Sequence, residues 1–338
     1  MKPTDFSYHL TKYLSSFLPG IRGLSSNTIF SYRDTFTLLL KYYALEKKIP
    51  AEKVTLEILQ VDSIREFLEW LETTRHSSPS TRNQRLASIK SFFKYLQTES
   101  SEYIYQCQQI MAIPLKRTNT EMIDYLSLDG IKAILAMTNT VSKEGRRDTV
   151  LLSILYDGAP RVQELADMKV ADIRLQKPET IKLTGKGRKT RIVPIMEPTV
   201  RLLNQYITEN GLNNPAKNMH PLFSNRSGNK LTRSGITYIL KKYTDCARLT
   251  NPLLIPKTVS PHCFRHSKAM HLLQSGVSLI YIRDFLGHEF ISTTQVYAKS
   301  DGEMKRIALE KAFVPVHASE MPIWQQNHDL MEWLKDLR

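Results

Sequence analysis

Residues 112 to 125, Ala-Ile-Pro-Leu-Lys-Arg-Thr-Asn-Thr-Glu-Met-Ile-Asp-Tyr, interrupt the apolar rhythm of the chain, and this break constrains its architecture more than any other feature. A proline, a basic pair and little periodicity read as a linker between two stretches of different pattern. Before it, apolar residues recur only at three and four. Ile29, Tyr32, Phe36, Leu39, Leu40 and Tyr43 form one such stripe within 25–48, and Leu86, Ile89, Phe92, Phe93 and Leu96 form another on a helix whose cap is predicted at Ser80. Shorter helices are predicted over 7–18 and 62–74, the latter with Ile64, Phe67, Leu68 and Leu71, which completes a four-helix set.

After the break, helical patterns alternate with a few strands. Leu128-Asp129 opens a helix to Met137, and a buried helix carries Val150, Leu151, Leu152, Ile154 and Leu155 until Gly158-Ala159-Pro160 ends it. Two β-branched runs flank a basic, glycine-punctuated turn between Ile181 and Ile195, which is a hairpin signal. Helices are predicted at about 197–210, 232–247, 262–275 and 278–286. The expected fold is therefore two-domain: an all-α N-terminal helical bundle over 1–111, a linker over 112–125, and a mixed, mainly α domain with a small β-sheet or hairpin over 126–316. A tail helix over 317–338 carries Ile323, Trp324, Leu330, Met331, Leu334 and Leu337. It docks either on its own domain or on a neighbouring subunit.

A length of 338 residues suits two domains, and 41% apolar with 24% charged residues is an ordinary globular composition. No stretch approaches the roughly 18 consecutive apolar residues of a membrane span, and the first residues lack a secretory apolar run, so a cytoplasmic protein is expected. Three scattered cysteines, Cys107, Cys246 and Cys263, suggest buried free thiols and neither a disulfide framework nor a zinc ribbon. The net charge of +14 points to a polyanionic partner, nucleic acid before membrane. Up to residue 115 there are 14 basic and 11 acidic residues, net +3; beyond it there are 33 and 22, net +11, which places the chemistry in the second half. In the first half, Arg82, Asn83, Arg85, Lys90 and Lys94 lie opposite the apolar stripe of their helix. They are either DNA contacts or an ordinary solvated face.

Five fragments stand in a fixed order: Arg161-Val-Gln-Glu-Leu165, the turn Gly185-Lys-Gly187, His262-Cys-Phe-Arg265-His266, Leu286-Gly-His288, and Tyr297 nine residues later. Together they resemble the tyrosine recombinase, or phage integrase, family over nearly the whole chain. The resemblance implies a core-binding first domain, a catalytic second domain of the DNA breaking-rejoining fold, and a C-shaped clamp on double-stranded DNA. It further implies cleavage of one strand by a tyrosine hydroxyl, leaving a 3′-phosphotyrosyl enzyme and a free 5′-hydroxyl. The pattern departs from the family where a glycine commonly sits two residues before the first arginine, since this chain has Ala159-Pro160 there.

The residue types suit that chemistry. A pentacovalent phosphorane carries extra negative charge, which permanently ionised, forked donors such as Arg161 and Arg265 can hold. A phenol both attacks and leaves more readily than an aliphatic alcohol once its proton is taken, which makes Tyr297 the candidate nucleophile. His262, three residues before Arg265, is the candidate general base. The departing 5′-oxygen needs a proton, and Lys186, between two glycines as in the family, is the candidate acid, with Lys189 its rival. His288 would donate to the phosphate, and Glu164 would orient Arg161. Arg188, Lys189 and Arg191 share the basic turn and are read as contacts to the DNA backbone.

Each residue has a plainer reading. Tyr297 is one of 15 tyrosines, Arg161 and Glu164 form a common i,i+3 ion pair, and His266 and His271 read as packed or capping histidines. His262 and His266 at i,i+4 lack the glutamate of a zinc motif, so no metal is expected. No cofactor is expected either, because exchanging one phosphodiester for another needs neither a metal nor ATP. The resemblance implies a site-specific recombinase or integrase, acting as a homo-tetramer on paired DNA sites and associated with the nucleoid when bound. The segments 266–271 and 281–288 look like integrases of transposons and plasmids, and no arm-type domain is expected before the helical one. A type IB topoisomerase or hairpin resolvase would use the same groups, and a non-catalytic architectural DNA-binding protein is the reading from another class.

Overall fold

The computed structural model describes residues 3–118, 124–300 and residue 335. The chain divides into two compact units, Met1–Glu121 and Met122–Arg338. The expected tail helix over 317–338 lies outside the described residues, apart from residue 335, as do linker positions 119–123.

In the first unit, α1 (Asp5–Lys12) continues into a wider π-type turn over Tyr13–Ile21. It is followed by α2 (Ser26–Leu45), α3 (Val61–Thr73), α4 (Pro79–Glu99) and α5 (Ile104–Met111). The α4 stripe is buried as its periodicity predicts, and Phe92 stands at ring-centroid distances of 5.8, 5.4 and 5.2 Å from Phe6, Tyr13 and Phe36. Such edge-on aromatic packing adds to the gain from area burial alone. The cap of α4 differs from the expectation. Ser78 accepts from the Thr81 N–H and Pro79 takes the first helical position, where its missing donor is harmless, so Ser80 is already inside the helix.

A fifth helix, α5, adds to the expected four-helix set. It buries Cys107 and Ile110, while the Gln106 side chain donates to the carbonyls of Leu56 and Leu59, both at 2.8 Å. Eight residues with three glutamines leave too short an apolar repeat for periodicity to detect. Of the cysteines only Cys107 is buried; Cys263 is intermediate and Cys246 exposed.

The second unit is mainly helical around a small sheet. Its order is α6 (Leu128–Ala136), α7 (Lys143–Asp157), α8 (Val162–Asp167), β1 (Ile173–Arg174), β2 (Thr180–Thr184), β3 (Thr190–Pro194) and α9 (Glu197–Glu209). Then come α10 (Arg233–Thr250), α11 (Pro261–Gln274), α12 (Leu279–Leu286) and α13 (Ser292–Ser300). Among the described residues the sheet is antiparallel in the order β1-β2-β3, with Leu183 opposite Arg191 and Ile181 opposite Val193. Ile181, Leu183 and Val193 are buried, as the two-residue period of a half-covered strand requires. The two-residue β1 and the six-residue α8 are too short for the sequence patterns to reveal.

The main core joins α6, α7, α9 and α10 to the sheet. A second cluster, Ala159, Ala269, Met270, Leu273, Ile282, Leu286 and Tyr297, holds α11, α12 and α13 together. Among the described residues, no helix is long and apolar enough to cross a membrane.

Candidate active site

The site is organised by the C-terminal end of α12. Gly287 closes that helix at φ 65°, a left-handed conformation that suits a residue without Cβ. The N–H groups of Gly287 and His288 turn back to the carbonyls of Asp284 and Arg283 at 3.1 and 3.0 Å. The next three carbonyls each accept from an arginine: Phe285 from Arg191 Nε at 3.0 Å, Leu286 from Arg265 Nη2 at 2.5 Å, and Gly287 from Arg161 Nη2 at 3.1 Å. A helix C-terminus carries partial negative charge and unpaired acceptors, which offsets part of the repulsion among the three guanidinium groups that converge there.

Arg161 occupies the N-cap of α8, and Glu164 one turn later receives its backbone N–H and its Nη1, both at 2.8 Å. Arg191 binds the same carboxylate with both terminal nitrogens, at 3.0 and 2.8 Å. Burial alone would raise the Glu164 pKa, but the hydrogen bonds and charges of Arg191 and Arg161 outweigh it and hold the group at about 2. Gly185, at the base of the hairpin, permits this close approach: a Cβ there would stand 2.8 Å from Glu164 Oε1.

Arg265 is 3% exposed and also donates to the Ala159 carbonyl at 2.6 Å. Burial first, then the charges of Arg161 and Arg191, lower its pKa, yet a guanidinium remains charged at neutral pH. Ala159 has φ 43°, a region where a β-carbon costs about 1–2 kcal/mol. The chain therefore keeps a glycine-like backbone path without the glycine. The strain is offset by the Arg265 hydrogen bond and by burial of Ala159 in the α11–α12–α13 cluster.

Tyr297 on α13 is 2% exposed, and its hydroxyl lies 2.8 Å from His266 Nδ1. Its histidine partner is thus His266, which the sequence reading treats as a packing residue. His262 is the more exposed of the two, its ring 6.3 Å from that of His266, and its partial burial, then the charges of Arg265 and Arg161, lower its pKa. The i,i+4 spacing on α11 was the available signal, since it places both imidazoles on one face. His288 stacks on Tyr297 at 6.4 Å, and its Nδ1 pairs with the Thr294 hydroxyl at 2.9 Å.

The hairpin tip holds Lys186 in its backbone turn, but the Lys186 side chain lies outside the described residues. Lys189 pairs with Glu289 at 3.1 Å and Arg188 is exposed at φ 59°. Arg191 departs from the expected DNA-backbone contact: its side chain is 12% exposed and all three guanidinium nitrogens donate within the protein.

In the first unit, most of the candidate DNA face is engaged internally. Arg82 donates to the Pro114 carbonyl at 3.2 Å, Asn83 exchanges two hydrogen bonds with the Lys116 backbone, and Lys90 donates to the Ile113 carbonyl. Arg85 reaches the Ser31 carbonyl and Thr35 hydroxyl on α2. Lys94 is exposed.

These groups make stability depend on acidity in two stages. Burial first, and neighbouring positive charges second, push His266 and His288 down to about 4. The unfolded chain takes up those protons near the ordinary value of about 6.5, so stability falls as pH drops from about 6.5 towards 4. Glu164, held at about 2, stabilises fully above its ordinary value near 4.5, and that contribution is lost as pH falls through 2. Thermal melts across this range are expected to show both stages, with the lower one reduced by about 3 kcal/mol in Glu164→Gln. A lower stage that the substitution leaves unchanged contradicts the assignment.

The phage integrase family model matches residues 124–304, and that of the phage integrase N-terminal SAM-like domain matches 11–100. A putative integrase/recombinase, y4rC of Sinorhizobium fredii (strain NBRC 101917 / NGR234), is 34% identical over 291 residues, 86% of each chain. The tyrosine recombinase XerD of Rickettsia bellii (strain RML369-C) is 32% identical over 299 residues, 85% of this chain and 93% of the relative. The solved structure of the XerH site-specific recombinase, bound to palindromic difH substrate in a post-cleavage complex, matches in fold with a TM-score of 0.67 at 22% identity. That match covers 86% of this chain and 82% of the other.

Proposed function

The chain belongs to the phage integrase family, the tyrosine recombinases, and from this premise we propose that it cuts and rejoins double-stranded DNA at specific sites through a 3′-phosphotyrosyl intermediate on Tyr297. The observation that carries the reading is the convergence of Arg161 and Arg265 on the α12 terminus, within the same unit as the Tyr297–His266 pair.

In this mechanism the two guanidinium groups hold the non-bridging oxygens of the scissile phosphate and stabilise the charge that grows in the pentacovalent transition state. Burial raises the phenol pKa while the Arg265 charge opposes it, so attack requires a proton acceptor at the hydroxyl. Neutral His266, already hydrogen-bonded to it, takes that role in place of His262, which instead hydrogen-bonds the phosphate together with His288. Lys186 protonates the departing 5′-oxygen. Rejoining reverses these steps with the 5′-hydroxyl of a second strand. Bond energies balance, and the arginines supply the positive charge, so the reaction proceeds without ATP or a metal. Four subunits on two paired sites, acting in the cytoplasm, complete the proposal.

A pool of nicked, sequence-randomised duplexes tests it in the presence of chelator. The expected result is a denaturant-stable protein–DNA adduct on a recoverable subset of sequences, followed by transfer to a second duplex. Binding to the selected duplex is expected to weaken by roughly 10³-fold or more between 50 and 200 mM salt. Absence of an adduct sinks the reading, and resealing without partner exchange makes the protein a topoisomerase.

A further inference from the structure

We propose that Arg191 is a positioning residue for strand cleavage: it neutralises Glu164 and ties the hairpin strand to the end of α12, so that the charge of Arg161 stays available to the DNA phosphate. The proposal rests on the phosphate-clamp reading above.

Arg161 and Arg191 bind one carboxylate while Arg265 stands at the adjacent Leu286 carbonyl, so three guanidinium groups and one carboxylate leave two positive charges at the site. A phosphodiester carries one negative charge in the ground state and about two in the transition state, so the surplus matches the transition state. The Glu164 side chain is 2% exposed, and a carboxylate so buried demands a cation. Arg191 meets that demand with a bidentate pair. Without it, Arg161 becomes the sole counter-ion of Glu164, and its guanidinium is drawn from the phosphate to the carboxylate.

The position of Arg191 makes the coupling mechanical as well. It stands on β3 opposite Leu183, so one side chain links the strand leaving the Lys186 turn, the Glu164–Arg161 pair and the Phe285 carbonyl. The space around it is filled: a Cβ on Gly287 would lie 2.9 Å from Arg191 Cδ. Small displacements of the hairpin are therefore passed to the residues that grip the phosphate.

The experiment compares the wild type with Arg191→Gln, Glu164→Gln and the double variant on a nicked duplex selected by wild-type adduct formation. Adduct rate at saturating DNA, DNA affinity and thermal stability are read together. Arg191→Gln is expected to slow adduct formation about 100-fold with affinity within about threefold of wild type. The double variant, which restores two net positive charges, is expected to regain about tenfold of that loss, a rescue that general loosening of the fold does not produce. If Arg191→Gln does not fold, Arg191→Lys decides, with a loss of about tenfold expected because the charge stays and the fork is gone. A rate within threefold of wild type, or a double variant no faster than the single one, overturns the inference. A wild-type protein that forms no adduct overturns the recombinase reading instead.

Discussion

Tyr297→Phe is expected to reduce covalent adduct formation to background while leaving DNA affinity and fold nearly intact. Phenylalanine keeps the ring that fills the cluster of Met270, Leu273, Ile282 and Leu286, so no cavity opens. The change removes one oxygen, the partner of His266 Nδ1 at 2.8 Å, and loss of a hydrogen bond of this kind costs about 1 kcal/mol. The nucleophile is lost outright, and among the described residues no other tyrosine packs in its cluster to take its place. Denaturing gels of the reaction on the selected nicked duplex, run beside a binding assay and a thermal melt, check all three statements. A persistent adduct in this variant assigns the nucleophile elsewhere.

The second large effect separates the two arginines. Arg161→Ala and Arg265→Ala are each expected to slow cleavage by about 10³-fold, because each removes a fixed positive charge from the transition state. Their effects on stability differ. Arg265 is 3% exposed and holds the carbonyls of Ala159 and Leu286, so truncation strands two buried acceptors and destabilises by about 3 kcal/mol. The Arg161 side chain is 37% exposed, so its loss is expected to cost about 1 kcal/mol or less. Arg265→Lys restores the charge without the fork and is expected to remain about 100-fold slow. Chemical denaturation set beside single-turnover cleavage reads both quantities, and equal destabilisation by the two alanine variants contradicts the structural assignment.

Much of the fold is visible in local pattern. The α4 stripe, the hairpin and the helices after it follow from periods of 3.6 and 2, because a side chain's exposure repeats with the geometry of its own element. The same rule held a signal for Arg191 that charge concealed: two residues before the buried Val193, it falls on the inward phase of β3. A basic residue beside Arg188 and Lys189 reads as a phosphate contact until the carboxylate waiting for it is known. Arg82, Asn83 and Lys90 show the same limit, since the carbonyls they meet belong to 113–116, a segment without periodicity.

The five fragments that carry Arg161, Lys186, His262 with Arg265, His288 and Tyr297 were enough by their resemblance to a known family to give the family and the reaction class it implies, and the apolar periods gave an all-helical first unit and a mixed second one. Tertiary structure alone decided that His266 meets the Tyr297 hydroxyl, that Arg191 faces inward, and that three successive carbonyls at the end of α12 collect three arginines. The reason is directional. Apolar burial is read from one element at a time, whereas a hydrogen bond such as that from Arg161 to Gly287, 126 residues away, exists only once two distant segments are brought within about 3 Å at a suitable angle.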